Sequence, residues 1–126
     1  MLTLPSSVRI YLAAEPVDLR KSIDGLSAMA RAQGHDIYSG HLFVFGGRRR
    51  DRVKILVWDR GGFVLLYKRL EAGRFRWPEV PASAQEVEVD ATQLAMLLDG
   101  IDVRTVKRPK VWSPRWSEKL DTASVR

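Results

Sequence analysis

Glu86, Glu88 and Asp90 alternate along the stretch "EVEVD", a spacing that sets three carboxylates on one face of a strand. Clustered carboxylates can hold two divalent metals about 4 Å apart, as two-metal hydrolases and phosphoryl-transfer enzymes require, so this trio is the first candidate for chemistry. A solvated strand face, or an interface to a basic segment, explains the same pattern without a metal. The other acidic candidates, Asp51, Asp59 and Glu71, each stand beside arginines at turns and read as turn formers and ion-pair partners. His35 and His41 lie in a loop without cysteine or zinc-type spacing, and Ser39 has no base at a defined interval. The expectation is a non-enzyme with no cofactor and no metal.

The basic residues carry a better mechanism. Arg48, Arg49, Arg50 and Arg52 crowd the loop of "FVFGGRRRDRVKILVW", and Lys54 begins the next strand. Guanidinium forks pair with phosphate oxygens and release counterions, and a β-ribbon can enter a groove of DNA. Arg74 and Arg76, next to Trp77, add a second basic segment, and "KRPKVWSPRW" near the C-terminus repeats the mixture, with Trp112 and Trp116 placed to stack on exposed bases. Arg48, Arg49, Arg50, Arg52, Lys54, Arg74 and Arg76 are therefore the candidate nucleic-acid-binding set. Alternatively, the arginines only keep an apolar sheet in solution, or they meet acidic protein.

Charge is segregated along the 126 residues. Residues 1–45 are balanced, 46–77 carry a net +7, 78–103 carry −6 and 104–126 carry +5, giving +6 in all. A polyanion such as DNA is the natural partner of the basic blocks. The competing reading has the acidic and basic blocks neutralising each other on folding.

These side chains need a scaffold. Val8 to Leu12 reads as a short strand ending at Glu15-Pro16. Asp18 is a good N-cap, and Leu19, Ile23, Leu26 and Ala30 form the stripe of an amphipathic helix over 19–33, stopped by Gly34. Gly25 within it predicts close packing against another backbone. "LFVF" at 42–45, Val53 to Trp58 and Phe63 to Leu70 read as a three-stranded antiparallel meander. In the second connection, "DRGG", Asp59 and Arg60 suit a type I turn, with Gly61 supplying the left-handed residue of a following bulge. Apolar residues alternate onto both faces, so the helix must cover one face and the C-terminal elements or a partner subunit the other. Glu86 to Asp90 reads as a short strand. Asp90 and Gln93 then form a capping-box pattern before Leu94, Leu97 and Leu98, with Gly100 ending that helix.

The fold class expected is α+β, a single domain over residues 1–103. It consists of an antiparallel meander packed with a longer helix in the N-terminal half and a shorter C-terminal one, followed by a basic, mobile tail over 104–126. The chain has no cysteine, which removes disulfides and thiolate sites, and no run approaches the roughly 18 apolar residues of a membrane span. A soluble, cytoplasmic protein is expected, with no membrane partner.

"VDLRKSIDGLSAM", "SGHLFVFGGRRRDRVKILVWDRGGFVLLYKRLEAGRFRWP" and "LAMLLDGID" resemble the accessory proteins called TnpB of the insertion sequence 66 family, from about Val8 to Val103. Leu19 and Ile23 stand where that family has methionine and an aromatic, and both remain apolar. The resemblance implies a bacterial protein needed with the transposase for movement of the element. It also implies the transposase and other element-encoded proteins as partners. DNA binding through the arginine-rich hairpin, together with the transposase, is the expected role. The alternative is a non-catalytic interaction module that assembles with the transposase, or with itself as a homo-oligomer, without touching DNA.

Overall fold

The computed structural model describes residues 4–100; the expected tail, with Trp112 and Trp116, and the boundary at Val103 lie outside the described residues. Five strands and two helices follow in the order β1 (Ile10–Ala13), α1 (Ile23–Ala32), β2 (Leu42–Gly46), β3 (Arg52–Asp59), β4 (Gly62–Arg69), β5 (Glu86–Val89) and α2 (Ala91–Leu98). They form one α+β domain with a five-stranded sheet in the order β4-β3-β2-β1-β5. The meander β2–β3–β4 is antiparallel throughout. β5 also pairs antiparallel with β1, while β1 runs parallel to β2, with α1 in the connection between them. The sheet is therefore mixed.

Strand alternation builds two cores. On one face Ile10, Leu12, Leu42, Val44, Val53, Ile55 and Val89 meet Leu94 and Leu97 of α2 and Phe75 from the loop after β4. On the other, Ala13, Phe43, Phe45 and Leu56 meet Leu26 and Ala30 of α1 and Ile37. Both faces of β2 are covered, which is why all five of its residues are buried. α1 covers one face and C-terminal elements the other, as the two-sided apolar pattern requires.

α1 starts later than its sequence stripe. Asp18 caps a separate turn instead, its Oδ1 accepting the Arg20 N–H at 3.0 Å and its carbonyl the Lys21 N–H at 3.1 Å. The helix begins after Ser22, and the Lys21 carbonyl just ahead of it accepts a bond from Lys54 Nζ at 2.9 Å. Gly25 accommodates the aliphatic stem of Lys21, whose Cβ would stand 3.0 Å from an added methyl, and not a neighbouring backbone. α2 follows the pattern read from its sequence: the Asp90 side chain accepts the Gln93 N–H and the Gln93 side chain accepts the Asp90 N–H. Gly100, at φ 80, lies just past its end.

The β3–β4 connection is tighter than a three-residue loop. Asp59 pairs directly with Gly62, and Arg60 and Gly61 both have positive φ, 45 and 85. Two central residues with positive φ mark a type I′ turn, whose twist matches that of the strands it joins.

Candidate nucleic-acid interface

The arginine loop, residues 47–51, caps the end of the sheet where β1 also finishes and α1 begins. Its backbone closes on itself, Arg50 N–H donating to the Gly47 carbonyl at 3.0 Å and Gly47 N–H to that of Arg52 at 3.2 Å. Arg50 takes the left-handed conformation, φ 59, which costs a non-glycine residue roughly 1–2 kcal/mol. That conformation turns its side chain inward.

The Arg50 guanidinium lies over the Trp77 ring, 4.2 Å from the centroid, and its Nη2 donates to the Ala14 carbonyl at 3.1 Å. Its Nη1 is buried without a partner, and burial lowers the guanidinium pKa, partly offset by the charge of Glu15. Trp77 Nε1 donates to the Ala13 carbonyl at 2.8 Å. The pair thus ties the loop and the segment after β4 to the end of β1. Gly46 makes room: a Cβ there would stand 2.5 Å from Arg50 Nη1 and 2.7 Å from the Trp77 ring.

Arg48 and Arg49 point outward from the same loop, and Arg52 is exposed at the start of β3. The three line an open groove with Asp51, Tyr67 and the segment from Pro16 to Arg20. Arg52 stands directly opposite Arg69 in the β3–β4 ladder. Like charges so placed repel, and sheet formation alone gives no reason for the pairing. Arg69 is relieved by Glu71 at 3.2 Å; Arg48, Arg49 and Arg52 have no carboxylate partner among the described residues. Across the groove Arg20 forms a two-pronged pair with Asp18, with contacts of 2.7–3.1 Å. Hydrogen bonds from Arg20 hold the Asp18 carboxyl well below the usual carboxylate range.

Lys54, on the same sheet face, is half-buried and bonded to the Lys21 carbonyl, with its ammonium 5.4 Å from the Tyr67 ring centroid. Arg74 and Arg76 are exposed on either side of buried Phe75, whose N–H donates to the Arg50 carbonyl at 2.6 Å, and neither lines the groove. The seven basic residues singled out in the sequence therefore divide. Arg48, Arg49 and Arg52 converge on the groove, Arg74 and Arg76 flank the loop from behind, and Arg50 and Lys54 bond inward. Tyr67, exposed in the groove, was missed; its only sequence signal is the aromatic placed before Lys68-Arg69.

The acidic strand lies at the opposite edge of the sheet. Glu86 contacts His35 at 2.6 Å and Glu88 contacts Arg9 at 2.8 Å, so neither covers the loop arginines. His35 also packs on Tyr11 and Phe43, while His41 Nδ1 accepts the Arg9 N–H at 3.0 Å. Among the described residues no three His, Asp or Glu side chains converge to hold a metal, and no helix is long and apolar enough to cross a membrane.

Comparison with known proteins gives the family of the chain. Residues 8–108 match the model of the IS66 Orf2 like proteins. The uncharacterized protein y4jC of Sinorhizobium fredii is 37% identical over 108 residues, covering 85% of this chain and 91% of that protein. Another uncharacterized protein of the same organism, y4hO, is 33% identical over 115 residues, covering 90% and 96%. No solved structure matches. The chain belongs to the IS66 Orf2 like family, the accessory proteins encoded by the second reading frame of these insertion sequences.

Proposed function

We propose that this accessory protein acts in transposition by binding DNA of the element, with Arg48, Arg49 and Arg52 as the phosphate contacts. The observation that carries the reading is the convergence of Arg48, Arg49 and Arg52, none with a carboxylate partner among the described residues, on one open groove. Folding supplies these three arginines with no counter-charge among the described residues, whereas a phosphate held over the groove would pair with them. Arg74 and Arg76 extend the contact behind the loop. Arg50 and Lys54 serve indirectly, by holding the loop and the start of α1 in place.

The reading assigns the chain no catalytic step. Strand transfer belongs to the transposase, and membership of an insertion-sequence family supports association with that enzyme. A titration of the purified protein against element-end DNA and unrelated DNA over a salt series tests the proposal. Binding that weakens steeply with salt is expected. Absence of binding at low salt, or an affinity indifferent to salt, sinks it.

A further inference from the structure

The two edges of the sheet differ. β5 is short and carries Glu86 and Glu88, the kind of edge that resists further pairing. β4 runs for eight residues in uninterrupted register with β3, holds no proline, and its outer side has no strand neighbour among the described residues. Every large hydrophobic residue exposed in the described chain belongs to β4 or packs against it. Val64, Leu66 and Tyr67 are 39%, 49% and 52% exposed, and Tyr38, at 55%, has its ring 5.7 Å from that of Phe63. Val64 and Leu66 lie on the α2 side of the sheet, Tyr67 on the α1 side. A helix laid against the sheet covers one side only; an added strand covers both.

We propose that β4 is a dimerisation edge, pairing antiparallel with β4 of a second copy of this chain to form one continuous ten-stranded sheet. The sequence of β4 is complementary to itself in one register. With Leu65 opposite Leu65 of the second copy, Phe63 faces Tyr67 and Val64 faces Leu66. Lys68 and Arg69 then face Gly62 and Gly61 of the second copy, where no side chain obstructs them. Asp59, directly across from Gly62 in β3, lies on the same side as Lys68, whose ammonium donates to the Leu98 carbonyl at 2.6 Å within the chain, so the pairing sets an acidic residue of the other copy on the side of the sheet where Lys68 lies. Centring the pair on Leu66 or Tyr67 instead sets Lys68 against Val64 or Leu66. The Leu65-centred dimer leaves both arginine grooves on the same face of the joined sheet.

The test uses the whole chain without DNA, so its result is independent of the proposed DNA binding. Light scattering over a concentration series is expected to show twice the 14.3 kDa monomer mass. The V64K/L66K double variant alters two exposed positions, and circular dichroism checks that it is folded. It is expected to weaken dimerisation about 100-fold or more, because its apolar contacts are lost in both copies. In this cysteine-free chain L65C places two thiols across the two-fold axis, at the roughly 4.5–5.5 Å Cα spacing that a disulfide spans. It is expected to form an oxidised dimer readily, while R31C, on exposed α1 surface, does not. Three results overturn the proposal: a monomer at every concentration, a dimer unaffected by V64K/L66K, or cross-linking of R31C as fast as L65C. A monomer whose β4 is covered by another protein or by residues 101–126 refutes the second copy as occupant.

Discussion

Arg50 and Trp77, twenty-seven positions apart in the chain, stack guanidinium on indole with 4.2 Å between Cζ and the ring centroid. The stack converts one member of an arginine run into an internal strut and leaves its neighbours facing solvent. Replacing Arg50 by alanine removes the stack and the bond to the Ala14 carbonyl, but also a buried unpaired Nη1. The net loss expected is about 1–2 kcal/mol of stability by denaturant unfolding. At temperatures where the variant is folded, the salt dependence of its DNA binding should match that of the parent.

Gly46 is required by the same stack. Gly46→Ala drives a methyl into the Trp77 ring and should cost about 1–3 kcal/mol. Gly62→Ala, where an added Cβ meets nothing within 4 Å, should change stability by less than about 0.5 kcal/mol. Unfolding midpoints of the two variants provide the comparison.

The β3–β4 turn holds a non-glycine residue at φ 45. Asparagine tolerates that conformation better and makes the Asn-Gly dipeptide favoured in type I′ turns, so Arg60→Asn should raise stability by about 0.5–1 kcal/mol. A lower unfolding midpoint would contradict the turn assignment.

Asp18 occupies Arg20 at the groove. Because Arg20 holds its pKa below the ordinary carboxylate value, Asp18 stays ionised as pH falls from about 7 to about 5, and acidification over that range does not release the arginine. Only well below its ordinary range does protonation break the pair, and with it the small stabilisation the pair contributes at neutral pH. Asp18→Asn should therefore strengthen DNA binding at neutral pH and steepen the salt slope by about 1. An unchanged affinity would remove Arg20 from the interface.

Much of the scaffold was legible because its causes are local. The meander follows from β-branched and aromatic runs bounded by glycines, and the α2 start follows from Asp90 and Gln93 alone. What the sequence hid depends on distant partners. Leu19 continues the apolar stripe of α1, yet the helix starts only after Ser22, where the Lys21 carbonyl meets Lys54, 33 residues on. The parallel pairing of β1 with β2 leaves no signature in either strand. Arg50 cannot be told from Arg48 and Arg49 by sequence, since Ala14 and Trp77, which draw it inward, are far along the chain. The turn at Arg60-Gly61 was located correctly, but its type depended on arginine accepting a positive φ.

The central claim is that Arg48, Arg49 and Arg52 meet phosphates. The decisive measurement is the slope of log affinity against log salt for duplex element-end DNA, comparing the parent with the R48A/R49A/R52A variant. Each lost phosphate contact removes about 0.9 from the slope, so the account predicts a decrease of about 2–3 with the fold unchanged. A variant that binds with the parent's slope would contradict it.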